Sequence, residues 1–201
     1  MSRKTIQEKT RVRGAMKALS MREVGTIQSR LYTAKQWRDL ALFRTGIDTM
    51  LRASDLVRIC TDEILDHNGK VMARAQIMMK KTGTPVKMAL TAETREALDL
   101  WLAERPAFAG EWLFPGRDRS GHLSEVQYRR LAKVWFRIAG LDVRHYSTHS
   151  IRRTKPAEIY RQTQNLEACR RLLGHKSNDI TSAYLGIDDD DALNLAENIK
   201  I

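Results

Sequence analysis

Cysteine, proline and aromatic residues are scarce in this chain, and so is acid. Its 201 residues include two cysteines, Cys60 and Cys169, which cannot build a disulfide framework. Neither belongs to a CxxC or Cys/His cluster, so a structural zinc site is not expected. Both read as small core residues of a reducing compartment. Four prolines and eleven glycines exclude collagen-like and proline-rich architectures. No apolar run approaches the roughly 20 residues that span a bilayer. The opening Met1-Ser2-Arg3-Lys4-Thr5 has no apolar stretch behind it, as a secretory signal would. A cytoplasmic, nucleoid-associated protein is therefore expected, with no membrane partner. Acidic residues number 24 against 35 Lys and Arg, leaving a net charge of +11. That surplus points to a polyanion such as nucleic acid. A hydrophobic share of 42% is too high for a disordered basic tail, and the length suits a single domain.

Charge is uneven along the chain. Residues 1–45 hold eleven Lys and Arg but only three acids, whereas Asp188 to Asp191 form an acidic run near the end. Residues 1–20 lack apolar periodicity and read as a flexible basic arm. The body over 21–187 reads as one domain. Residues 188–201 form an acidic segment and a helix whose apolar positions are Leu193, Leu195, Ala196 and Ile199. There is no internal repeat.

Local signals place the elements. Thr33 is positioned to cap a helix carrying Trp37, Leu40, Ala41 and Ile47, with Gly46 a candidate end. A short helix covers Ala53 to Ile59. Three β-prone runs follow: Glu63 to Asp66, Val71 to Met79 and Val86 to Leu90. They are separated by His67-Asn68-Gly69 and by Lys81-Thr82-Gly83-Thr84-Pro85, which predicts a small three-stranded antiparallel sheet. The rest is helical. Thr91 caps a helix through Ala97, Leu98 and Trp101 that Pro106 ends. Trp112 to Gly116 make a buried connection. Ser124 caps a helix through Tyr128, Leu131, Trp135 and Ile138, stopped by Gly140. Further helices cover about 149–162 and 166–173, a short one carries Tyr184, and a last one spans about 190–199. The fold class is mostly α with one small sheet.

Four segments carry chemistry-bearing residues in order: Leu51-Arg52-Ala53-Ser54-Asp55-Leu56, Lys81-Thr82-Gly83, His149-Ser150-Ile151-Arg152, and Leu172-Leu173-Gly174-His175, with Tyr184 nine residues further on. Each alone is weak; the ordered set is specific. A tyrosine hydroxyl, with pKa about 10, is a poor nucleophile at neutral pH. Cations around a phosphate make its attack feasible by stabilising the transition-state charge, and a guanidinium fork matches two phosphate oxygens. A lysine can protonate a leaving oxygen, and a histidine can move the tyrosine's proton. His145 and His149 are four apart, as in a helical metal pair, but no acid follows at ligand spacing, so no metal and no cofactor is expected.

The ordered set resembles the tyrosine recombinase, or phage integrase, family over roughly residues 20 to 187. The resemblance implies that family's catalytic-domain fold and DNA breaking and rejoining through a 3′-phosphotyrosine, without metal or ATP. It casts Tyr184 as nucleophile, Arg52 and Arg152 as phosphate clamps, Lys81 as general acid, His149 as base or acid, His175 as a phosphate donor and Asp55 as a supporting residue. Lys80 stands next to Lys81 as the alternative lysine. Arg153 stands where many members have a further histidine. Pro156 would be tolerated if its helix starts near Lys155 and would kink a helix that starts at His149. Members commonly carry a DNA-clamping domain that has no counterpart in these 201 residues. Double-stranded DNA is the expected partner, held at phosphates by the arm, Lys80, Lys87, Arg129, Arg130 and Lys133, with Arg170 and Arg171 as further candidates. A homo-oligomer is expected on DNA, a tetrameric synapse, with the terminal helix docking on a neighbouring protomer. Two other readings share these residues: relaxation of the type IB topoisomerase kind, and a DNA-binding regulator that does not cleave.

Overall fold

The computed structural model describes residues 16–80, 83–106, 110–117 and 121–187, together with Leu193 and Glu197. Lys81, most of the basic arm and nearly all of the acidic C-terminal segment lie outside the described residues. Eight helices and one two-stranded sheet are found among those described. No described helix is long and apolar enough to cross a membrane.

Helix α1 spans Met21–Thr33 and has no counterpart among the expected elements. It begins with a capping box: the Ser20 amide donates to Glu23 Oε2 at 2.6 Å, and the Glu23 amide donates to Ser20 Oγ at 3.3 Å. Val24, Ile27 and Leu31 form its buried stripe. Thr33 therefore ends α1 rather than capping its successor. Helix α2, Trp37–Thr49, has no side-chain cap and is buried almost all round over its second half, as befits the central helix. It packs against α1, α4 (Ala92–Glu104) and α6 (Thr148–Thr163). Gly46 does not end α2 but lets its neighbours close in. A Cβ there would lie 2.9 Å from Tyr128 Oη and 3.1 Å from Ile151 Cγ2. Phe43 meets Trp135 edge to face at 5.6 Å, and the Trp135 indole N–H donates to Asp39.

The short helix α3, Ala53–Leu56, follows Arg52. Strands β1 (Arg74–Met78) and β2 (Pro85–Ala89) pair antiparallel, with Arg74 opposite Ala89 and Met78 opposite Pro85. Ala75, Ile77, Val86 and Met88 face the core, while Arg74, Gln76, Met78 and Lys87 face out. Gly83, at φ +60°, closes the turn by donating its amide to the Met79 carbonyl. The third strand expected over Glu63 to Asp66 is not formed. Thr61–Glu63 make a 3-10 turn, and one bridge, Leu65 to Val71, is what remains of that ladder. Competition explains the difference. The Thr61 amide donates to the Glu111 carbonyl, and the Ile59 carbonyl accepts from Leu113, so this stretch pairs with the connection around Trp112 instead. The Asn68-Gly69 turn itself forms as expected, with Asp66 Oδ1 accepting from the Asn68 and Lys70 amides.

The remaining helices lie close to where the sequence puts them. Thr91 caps α4 and Ser124 caps α5, Glu125–Ile138. Helix α6 is capped by Ser147 and continues through Pro156, so the later start near Lys155 does not occur. Helices α7 (Leu166–Leu173) and α8 (Asn178–Leu185) each end on a glycine at positive φ, Gly174 and Gly186. Cys169 is buried, whereas Cys60 is only half-buried.

One partly buried ion pair ties three helices. Lys155 Nζ on α6 lies 2.7 Å from Asp48 Oδ1 on α2, and Asp48 Oδ2 accepts from both the amide and the hydroxyl of Thr91 at 2.8 Å. Burial alone would raise the Asp48 pKa; the hydrogen bonds from Lys155, Thr94 and Thr91 outweigh it and hold the carboxyl below the ordinary range. Asp48→Ala strands the Lys155 ammonium and should lower unfolding free energy by about 3 kcal/mol near pH 7, measured by urea denaturation. Because the folded pKa is depressed, the stabilisation is full above the unfolded carboxylate pKa. The gap between the two proteins should therefore narrow as pH falls through roughly 4 and below.

Candidate active site

Four elements converge on one groove. Arg52 immediately precedes α3, and its carbonyl accepts the Asp55 and Leu56 amides, which starts that helix. Its half-buried side chain reaches Met79, with Nη1 3.6 Å from the sulfur. Asp55, buried on α3, accepts the Lys80 amide at 3.0 Å and so fixes the end of the hairpin against the arginine's helix. The groove is lined by Arg52, Met79, Val86, Gly174, His175 and Lys176.

His149 and Arg152 stand three residues apart in the first turns of α6, on one face. Arg152 is 5% exposed, and its Nη2 donates to the Leu173 carbonyl at 3.1 Å, at the C-terminal end of α7. That end carries the negative pole of the helix dipole, the place where a buried cation is least costly. Gly174 then turns the chain at φ +65°, delivering His175, whose Nδ1 lies 3.2 Å from Thr181 Oγ1. Thr181 and Tyr184 share a face of α8. The Tyr184 ring meets the His175 ring edge to face at 5.2 Å, and Arg152 Cζ lies 6.0 Å from its centroid.

The electrostatics follow from burial among cations. Burial lowers the His149 pKa, and the Arg152 and Arg52 charges lower it further. The same causes, in the same order, push His175 down to about 4. Burial raises the Tyr184 phenol, while Arg152, Arg153 and Arg52 oppose that rise without cancelling it. The Tyr184 hydroxyl is buried and meets no hydrogen-bond geometry among the described residues, although the Arg152 guanidinium beside it favours its ionised form. Arg152 Nε and Asp55 Oδ2 are likewise buried without a partner among the described residues. The site thus holds both donor and acceptor atoms without partners among the described residues, beside two arginines.

Five of the six expected catalytic residues, together with Asp55, are described, and they gather here; Lys81 is the exception. Lys80 is bound through its backbone and exposes its side chain. Lys87 is exposed on the outer face of the hairpin, and Arg129, Arg130 and Lys133 are exposed on α5, which packs against α1, α3 and α6. Arg171 lines the groove, as does Arg170, whose guanidinium is held by Glu167 and donates to the His175 carbonyl at 3.0 Å. Sequence reasoning gave no role to Thr181, whose contact with His175 depends on the turn at Gly174, or to Arg153, which lies over the Tyr184 ring.

The fold is that of tyrosine recombinase catalytic domains. A XerA recombinase structure superposes with a TM-score of 0.75 at 17% identity, covering 92% of this chain and 66% of that one. A XerH recombinase bound to a palindromic difH substrate gives 0.73 at 18%, covering 92% and 54%. The model of the phage integrase family matches residues 17–190, and the chain belongs to that family. A probable integrase/recombinase YoeC of Bacillus subtilis is 27% identical over 156 residues, covering 78% of this chain and 81% of the relative. Tyrosine recombinase XerC of Neisseria gonorrhoeae is 29% identical over 154 residues, covering 76% of this chain, which spans about half the length of that relative (48%).

The electrostatics give a direct test. Followed by NMR, the His175 ring should titrate near 4, and Arg152→Gln should move its midpoint upward, because a neighbouring cation is removed. A midpoint near 6.5 in the unaltered protein would contradict the burial and charge described here.

Proposed function

We propose that this chain is a tyrosine-type site-specific DNA recombinase that breaks and rejoins duplex DNA through a 3′-phosphotyrosine. One observation carries the reading: a buried tyrosine hydroxyl set between a histidine ring and a buried arginine, with three arginines acting on it, beside the groove that Arg52 and His175 line. Tyr184 Oη attacks the scissile phosphorus. The phosphorus–O5′ bond breaks, and the 5′-hydroxyl leaves with a proton from Lys81. His149, kept unprotonated by burial and two arginines, takes the phenol's proton. Arg52 and Arg152 bind the non-bridging oxygens, where charge grows in the transition state, and His175 donates to one of them. Asp55 holds the hairpin end that presents the lysine. Reversal with a 5′-hydroxyl of another strand rejoins the DNA, and the phosphotyrosine conserves the bond energy, so neither ATP nor a metal is called for.

Contacts to the duplex fall on phosphates, through the basic arm, Lys80, Lys87, Arg129, Arg130 and Lys133, with Arg171 and Lys176 beside the groove. Structures described as XerH bound to difH and as a lambda integrase dimer bound to a core site support double-stranded DNA as the partner. Strand exchange between two duplexes needs four active sites, hence a tetrameric synapse, at the nucleoid where such DNA lies.

A nicked suicide duplex tests the reading. The unaltered protein should accumulate a denaturation-resistant adduct, and Tyr184→Phe should give none. Arg52→Ala and Arg152→Ala should each slow adduct formation by roughly 10²–10³-fold. An adduct that persists in Tyr184→Phe overturns the nucleophile. Relaxation of supercoils without a defined site would favour the topoisomerase-like reading, and specific binding without any adduct would favour the regulator.

A further inference from the structure

Arg153, next to Arg152 on α6, also approaches the Tyr184 ring. Its Cζ lies 5.6 Å from the Tyr184 ring centroid, within cation–π range. Its Nη1 donates to the Met16 carbonyl at 3.1 Å, 137 residues away in sequence. Its Nη2 would lie 3.0 Å from a Cβ at Gly186, the residue that ends α8 at φ +72°. The guanidinium therefore touches three things: the nucleophile's ring, the cap of the helix that carries it, and the segment that leads out of the basic arm. That segment is itself pinned to α6 and its approach. The Lys17 amide donates to the His145 carbonyl, and the Leu19 amide donates to Thr154 Oγ1.

We propose that Arg153 is a positioning residue that clamps the Tyr184 ring and couples its placement to residues 16–19, the root of the basic arm. This rests on Tyr184 being the nucleophile. A flat guanidinium suits the task, because one face covers an aromatic ring while its edge donates to a carbonyl. Lysine keeps the charge but not the fork. The groups in contact with the phenol or within electrostatic reach of it are Arg152 and Arg153 from α6, Arg52 from the start of α3, and the His175 ring from the turn after α7, while His149, the proposed proton acceptor, shares a face of α6 with Arg152. Arg153 acts on the ring and on the ionised phenol and needs no contact with the DNA. The consequence is that DNA engaging the arm would bear, through Met16 and one side chain, on the nucleophile.

Two measurements test this. In the first, tyrosines carry a ¹³C label at the phenolic carbon, and the Tyr184 signal is assigned by its loss in Tyr184→Phe. Arg153→Met should raise the titration midpoint of that signal, since a cation is removed, and Gly186→Ala, which pushes the guanidinium away, should do so to a smaller degree. Arg153→Lys should restore much of the shift. A midpoint unmoved in both Arg153→Met and Gly186→Ala overturns the clamp, whether or not the protein cleaves DNA. In the second, adduct formation on saturating nicked duplex should slow by about tenfold in Arg153→Met. Removing residues 1–16 should slow the unaltered protein but add little to Arg153→Met, because both act through one contact. Full additivity of the two changes would overturn the coupling to the arm. If the unaltered protein forms no adduct at all, the recombinase reading fails, and the titration still decides the clamp.

Discussion

A buried positive charge with no ion-pair partner among the described residues is the constraint on which this structure turns. Arg152 is almost wholly buried, yet its hydrogen bond goes to a neutral carbonyl, and it makes no ion pair among the described residues. A cation in such a place is costly. Three features of the fold hold it there. The C-terminal end of α7 turns its negative pole toward it. The Asp48–Lys155 pair locks the next turn of α6 to the central helix. Gly46 lets Ile151, the residue before Arg152, press onto α2. Arg52 and Arg153 add further positive charge around the same phenol. Positive charge around the phenol thus exceeds what the one nearby carboxylate, Asp55, offsets, which is the feature that the proposed binding of a phosphate would answer.

The same field sets the protonation states the proposed chemistry needs. Burial and the arginines hold both histidines below their usual pKa, so each ring is neutral at physiological pH, able to accept one proton and donate another hydrogen bond. Burial protects the phenol from ionising, while the arginines limit that effect. An arriving phosphate offsets the arginine charges. Charge that develops during attack meets donors already in place, which is where preorganised sites gain most. Asp55 adds a second tie, because one carboxylate oxygen anchors the hairpin end beside Arg52.

Much of this was legible in the sequence, and the exceptions have physical reasons. Thr91, Ser124, Pro106 and Gly140 mark helix ends through local hydrogen bonding and φ restriction, so α4 and α5 read correctly. Helix α1 was missed although Ser20 and Glu23 spell its capping box; the surrounding basic charge hid the stripe Val24, Ile27 and Leu31. The third strand failed because Ile59 and Thr61 give their backbone groups to Glu111 and Leu113, a pairing across some fifty residues that no local pattern carries. Gly46 reads as a breaker in one dimension and is a contact point in three. At the site, the ordered motifs gave Arg52, Asp55, His149, Arg152, His175 and Tyr184. The contacts of Arg153 and Thr181 arise only once α6, α7 and α8 meet.

The most direct measurement is the chemical location of the protein–DNA bond. The denatured adduct formed on a nicked duplex is digested with protease and nuclease, and the nucleotide-bearing peptide is sequenced by mass spectrometry. The expected result is a nucleotide joined through its 3′-phosphate to Tyr184. A nucleotide on any other residue, or one joined through a 5′-phosphate, would contradict the site described here.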